Sequence, residues 1–151
     1  MFDAWRDLQG VVLDLDGTVY SDRAAMPGAA VAVQTLRSVG LRVRYATNAT
    51  RQPRTALFDH LGQLGIDLEV RDVITAPRAA AAWLRANAVP SVALHLPETT
   101  DPEFDEFVID AEHPAAVVVG DLGDGWMLDR LNLAFRQLVG GAELVAIQKN
   151  R

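Results

Sequence analysis

An unbroken apolar run, Gly10-Val11-Val12-Leu13, leads straight into Asp14-Leu15-Asp16-Gly17-Thr18. Because its apolar residues are continuous and β-branched at Val11 and Val12, residues 10–15 read as a buried strand that ends in carboxylates. Pro27-Gly28 then opens an alanine- and valine-rich segment to Val39 whose apolar positions share one helix face, and Gly40 closes it. A second strand over residues 41–46 alternates Val43 and Tyr45 with Arg42 and Arg44 before reaching Thr47-Asn48. Strand, helix, strand on this spacing is a β-α-β unit, which commits the chain to an α/β fold with parallel neighbours. In such sheets ligands gather at the carboxyl ends of the strands.

The alternation continues along the chain. Pro53 suits the first turn of a helix running to about Leu64, with Leu57, Leu61 and Leu64 on one stripe and Gly65 as its stop. Residues 70–75 are short and partly β-branched, and Pro77 introduces a long alanine-rich helix to about Asn87 that bears Trp83 and Leu84. Residues 91–96 and 115–119 read as strands. The acidic stretch between them, with Glu98, Asp101, Glu103, Asp105 and Glu106, reads as a solvated connection. Helical spacing over 126–139 runs through Leu128, Leu131, Leu133, Phe135 and Leu138; Gly140-Gly141 breaks it and residues 143–147 make a last buried strand. Pro77 and the renewed alternation place a boundary near residues 75–78, between a part spanning 1–75 and a part spanning 76–151.

A chain of 151 residues supports one sizeable core and not two large domains. Its formal charge of -6 argues against a nucleic-acid backbone as partner, since phosphate chains attract clustered Lys and Arg. The absence of cysteine excludes a disulfide framework, thiol catalysis and thiolate metal sites, leaving oxygen ligands and hard cations. No apolar stretch approaches the roughly 20 residues of a spanning helix, and the N-terminus carries Asp3 and Asp7 in place of a basic, apolar leader. The expected location is the cytoplasm, away from any membrane.

Residues two apart on an extended strand point the same way, so Asp14 and Asp16 would face one cavity if the strand continued through them. Alternatively, Gly17 permits a turn that swings Asp16 over the pocket and turns its backbone carbonyl toward a cation. Phosphoryl transfer suits the pair: negative charge builds on the equatorial oxygens, and a carboxylate nucleophile needs Mg²⁺ or another positive group to approach them. Asp14 is then the nucleophile and a metal ligand. Asp16 protonates the leaving oxygen, activates water afterwards and is the second metal ligand. Thr47 and Asn48 end the parallel neighbour, where a hydroxyl and an amide can donate to the substrate's phosphoryl oxygens. The competing readings are a plain Asp-Gly turn, ordinary helix capping by Thr47 and Asn48, and a calcium loop. In the last, glycine belongs at the sixth position, whereas Gly17 is fourth counted from Asp14.

The segments Asp14-Leu15-Asp16-Gly17-Thr18-Val19-Tyr20 and Tyr45-Ala46-Thr47-Asn48-Ala49-Thr50 resemble the first and second motifs of the haloacid dehalogenase-like (HAD) hydrolase superfamily. Within it the chain is similar to the NagD-like class, in particular the branch that contains phospholysine phosphohistidine inorganic pyrophosphate phosphatase. Pro27-Gly28, Leu131-Asn132-Leu133-Ala134-Phe135-Arg136 and Glu143-Leu144-Val145-Ala146-Ile147-Gln148-Lys149 extend the likeness over nearly the whole chain. The resemblance implies the N-terminal portion of a three-layer Rossmann-like core with part of an inserted α/β cap of the C2 type. It also implies a Mg²⁺-dependent aspartyl-phosphate phosphatase acting on a small phosphorylated substrate, and it admits a homodimer through the cap. Asp14 matches the nucleophile, Asp16 the acid/base, Thr47 the phosphate-binding hydroxyl and Asn48 the adjacent orienting residue. Members of the class carry a later lysine motif and a later metal-binding acid, and this chain is expected to end before both.

Asp121, Asp124 and Lys149 stand near places where those later groups could be sought, but their positions match the cap, so a solvated turn or helix cap is expected of Asp121 and Asp124 and a substrate-facing or surface role of Lys149. His60, His95 and His113 lack ligand spacing and read as dispersed structural or surface residues, and Trp5, Trp83 and Trp126 as core or interface anchors. Two alternatives to the phosphatase remain open: a catalytically incomplete binding or assembly module of the same fold, and a phosphotransferase.

Overall fold

The structure, a computed structural model, describes residues 7–22 and 24–149. The anchor role expected of Trp5 lies outside the described residues. The chain divides into two compact units: one runs up to Thr47 and resumes over Arg54–Ile74, and the other comprises Asn48–Pro53 and the chain from Thr75 onward.

The first unit begins with strand β1 (Gly10–Asp14), a small antiparallel ribbon of β2 (Tyr20–Ser21) and β3 (Ala24–Ala25), and helix α1 (Ala29–Ser38). Strand β4 (Arg42–Thr47), helix α2 (Arg54–Gln63), a single 3-10 turn over Val70–Asp72 and strand β5 (Val73–Thr75) follow. The sheet order is β1-β4-β5, with β1 and β4 parallel as the β-α-β reading expects. Helix α1 stops because Gly40 takes φ 86°, which lets the Leu41 amide reach the Leu36 carbonyl and the Gly40 amide the Arg37 carbonyl. Alternation on β4 puts Val43 and Tyr45 into the core with Leu15, Val33, Leu57 and Leu61. Strand β1 departs from expectation. Val12 is 65% exposed while Val11 and Leu13 are half-buried, so only one face of this edge strand is covered within the unit. Asp72 is buried, and its carboxylate binds Arg37 and Arg44 and accepts the Glu69 amide. Burial opposes its charge, but these partners prevail and hold the carboxyl below its usual range.

The second unit is a parallel four-stranded sheet, order β7-β6-β8-β9, from β6 (Ser91–His95), β7 (Val108–Ile109), β8 (Ala116–Val119) and β9 (Glu143–Ala146). Helix α3 (Ala76–Ala86) starts at Thr75, whose hydroxyl accepts the Arg78 amide, with Pro77 in the first turn. Helix α4 (Leu128–Val139) joins β8 to β9. Ala80, Ala81 and Leu84 of α3 pack on Val92, Leu96, Phe104, Ala116 and Val118. The acidic stretch keeps Glu98, Asp101, Asp105 and Glu106 exposed, as a solvated connection does, while Glu98–Phe104 forms a 3-10 segment whose Thr100 and Phe104 are fully buried. One expectation fails here: strand β9 is not buried, since it is an edge with Leu144 55% exposed. Among the described residues no helix is long and apolar enough to cross a membrane.

Candidate active site

Asp14 is the last residue of β1 and pairs in register with Ala46, so Asp14 and Thr47 stand at the carboxyl ends of adjacent parallel strands. Extension stops there. Leu15 is buried, and its carbonyl collects the amides of Val19 at 2.9 Å and Tyr20 at 3.1 Å, while the Gly17 amide donates to the Tyr20 carbonyl at 2.7 Å. This loop requires Gly17 at φ 76°, a conformation that side-chain-bearing residues resist. Of the two geometries open to the sequence, the turn is the one adopted: Asp16 sits in a tight loop and not on a continued strand. Both aspartates are exposed, and Asp14 Oδ1 accepts the Leu15 amide at 2.9 Å.

Tyr20, a residue the sequence reading assigns no role, lies beside the pair. Its ring meets His60 of α2 edge-on at 5.1 Å. Its phenol is pushed above its usual value first by burial and then by the charges of Asp16 and Asp14, which places both carboxylates within electrostatic reach of one ring. Thr47 is half-buried on the same unit; Asn48 is exposed and belongs to the second unit.

Two exposed carboxylates fit a hard cation such as Mg²⁺, which is commonly held by one or two carboxylates together with substrate phosphate. No cluster of three or more His, Asp or Glu side chains placed for a metal occurs among the described residues. Asp121 is engaged elsewhere: it accepts Arg51 Nη2 at 2.7 Å and the Gly123 amide at 2.9 Å. These bonds lower its carboxyl, Arg51 first. Asp124 lies in the adjoining 3-10 turn and Lys149 is exposed. His95 bonds Gln137 and stacks on Trp126, whose Nε1 donates to the Gly120 carbonyl, and Trp83 is 41% exposed. The Arg51–Asp121 pair had no sequence signal, because its members stand far apart in the chain and only folding joins them.

A family profile described as "Haloacid dehalogenase-like hydrolase" matches residues 11–109. The chain is 34% identical over 148 residues to haloacid dehalogenase-like hydrolase domain-containing protein 2 of Mus musculus, covering 98% of this chain and 56% of that protein. It is 32% identical over 137 residues to phospholysine phosphohistidine inorganic pyrophosphate phosphatase of Homo sapiens, covering 87% and 49%. The chain thus spans about half the length of the curated relatives it matches. Among solved structures, NagD from E. coli K-12 superposes with a TM-score of 0.85 at 24% identity over 93% of this chain and 57% of that one. A glycerol phosphate phosphatase from Mycobacterium tuberculosis in complex with calcium superposes with a TM-score of 0.75 at 29% identity, over 91% and 42%. The profile match covers most of the chain, and the Asp14 loop and the parallel strand ends lie inside it, so this chain belongs to the haloacid dehalogenase-like hydrolase family and has the fold of its NagD-like class.

Proposed function

We propose that the chain carries the nucleophile and acid/base of a Mg²⁺-dependent phosphatase that hydrolyses a small phosphomonoester through an aspartyl-phosphate. The observation that carries this reading is the loop at the end of β1, which holds Asp14 and Asp16 together next to the end of β4. An Asp14 carboxylate oxygen attacks phosphorus as the ester P–O bond breaks, and Asp16 gives its proton to the departing oxygen. Asp16 then takes a proton from water, whose oxygen attacks phosphorus and releases inorganic phosphate with Asp14 restored. Thr47 donates its hydroxyl to the phosphoryl oxygens and Asn48 orients them. Asp14 and Asp16 would hold Mg²⁺, which when bound would supply positive charge against the phosphoryl oxygens so that a carboxylate can approach. The relative's phosphatase name and the calcium in the Mycobacterium tuberculosis structure support this chemistry as a proposal for the present chain.

In the same reading, residues 1–75 are the N-terminal part of the hydrolase core and residues 76–151 part of the cap, working in the cytoplasm. A homodimer through the cap is supported by an exposed apolar face on α4, formed by Leu128, Leu131, Phe135 and Val139. Phosphate release from phosphomonoesters and pyrophosphate, with and without Mg²⁺, tests the reading in the full-length protein. Asp14→Asn is expected to lower release by roughly a thousandfold or more, and Asp16→Asn by about a hundredfold to ten-thousandfold. Metal-dependent release that survives Asp14→Asn would sink the nucleophile assignment. Transfer of phosphate to an organic acceptor without free phosphate would make the protein a transferase.

A further inference from the structure

Between the end of β4 at Thr47 and the start of α2 at Arg54, residues 48–53 lie outside helix and strand, so no ladder of backbone bonds fixes Asn48. This segment belongs to the second unit, and two bonds at one residue tie it there. Arg51 Nη2 donates to Asp121 Oδ1 at 2.7 Å, and the Arg51 carbonyl accepts the Thr99 hydroxyl at 2.9 Å. The side chain is thus held by the loop after β8 and the main chain by the 3-10 segment after β6.

The loop that receives Arg51 is shaped for a guanidinium. Asp121 Oδ1 also accepts the Gly123 amide at 2.9 Å, which holds the carboxylate in place for Arg51. Gly123 takes φ 53°, a conformation that favours glycine, and a β-carbon there would fall 2.6 Å from Arg51 Nη2. The guanidinium therefore occupies space that a side chain at position 123 would claim. Thr50, beside Arg51, is only 5% exposed, whereas Asn48 stands exposed. The segment is pinned at Thr50 and Arg51 and presents Asn48 outward. The Arg51 and Asp121 side chains are 58% and 37% exposed, and an ion pair so accessible adds little to stability. Its consequence is where the segment lies.

We propose that Arg51 is a positioning residue: through Asp121 and Thr99 it sets the backbone from which Asn48 meets the substrate's phosphoryl oxygens. This role rests on the part proposed for Asn48 in the phosphatase reaction. Phosphate-release kinetics of the full-length protein test it. Arg51→Gln and Asp121→Ala, at accessible positions where folding is not at stake, are each expected to lower kcat/KM by about tenfold. The loss should fall mainly on KM, because Asn48 already meets the bound substrate. The double variant should be no worse than either single one, and in an Asn48→Ala background Arg51→Gln should change nothing further, since the residue it positions is gone. Selective ¹⁵N labelling of asparagine adds a readout independent of turnover: the side-chain amide signal of Asn48 should shift in both single variants. An unshifted Asn48 signal, or an equal loss from Arg51→Gln with and without Asn48, would overturn the role of Arg51. Asp14→Asn alongside separates the two failures: release that survives it overturns the phosphatase reading, and the Asn48 signal then decides by itself whether Arg51 positions that residue.

Discussion

Tyr20 reports on the charge of the two neighbouring aspartates. Its phenol is raised by burial, then by Asp16, then by Asp14, so removing one charge must move it in a known direction. Asp16→Asn is expected to bring the Tyr20 pKa down toward the ordinary phenol value of about 10, and to leave it still above because the ring stays half-buried. A pH titration of the Tyr20 ring signals by NMR checks this; an unmoved midpoint would mean that Asp16 does not face the ring. The place of Asp14 at the end of β1 was legible in the sequence, because an apolar run that meets Asp-x-Asp-Gly must stop its strand there. Tyr20 was not legible, since its contact with His60 depends on where α2 lies.

At the scale of elements, helix ends show how closely sequence and backbone agree. Helices α1 and α2 close at Gly40 and Gly65, but α3 closes with Ala88 in the left-handed region at φ 53°. The Val89 amide reaches the Leu84 carbonyl and the Ala88 amide the Arg85 carbonyl, the same pair of bonds that Gly40 makes possible after α1. Alanine is strained there, and the relief on Ala88→Gly outweighs the added freedom of the unfolded chain. The substitution should stabilise the protein by about 0.5–1 kcal/mol, seen as a raised urea midpoint with an unchanged slope. A lower midpoint would show that Ala88 makes packing contacts that matter more than its backbone. In the acidic stretch the charge density correctly marked solvent for Glu98, Asp101, Asp105 and Glu106, but it gave no sign that Phe104 among them is fully buried.

For the whole molecule, the proposed association rests on one face of α4. Leu128 is 73% exposed, Leu131 48%, Phe135 66% and Val139 71%, a spacing that puts all four on one side of the helix. Apolar faces of this kind mark association surfaces. If the proposed homodimer forms there, the paired substitutions Leu131→Glu and Phe135→Glu should give a monomer in sedimentation while the circular dichroism spectrum is kept, because changes at exposed positions cost little stability. A dimer that survives both substitutions would move the interface away from α4.

The sequence by itself determined the α/β class, the β-α-β entry and the strand end at Asp14, because period, turn chemistry and strand termini are local properties that neighbouring residues impose on one another. Only the tertiary structure decided that Asp16 lies in a loop pinned by the Leu15 carbonyl, that Arg51 holds Asp121, and that Val12 and Leu144 stay exposed on edge strands. Those facts depend on which distant segments meet. A local pattern can state that a strand is apolar, but only its neighbours in space determine whether its faces are covered.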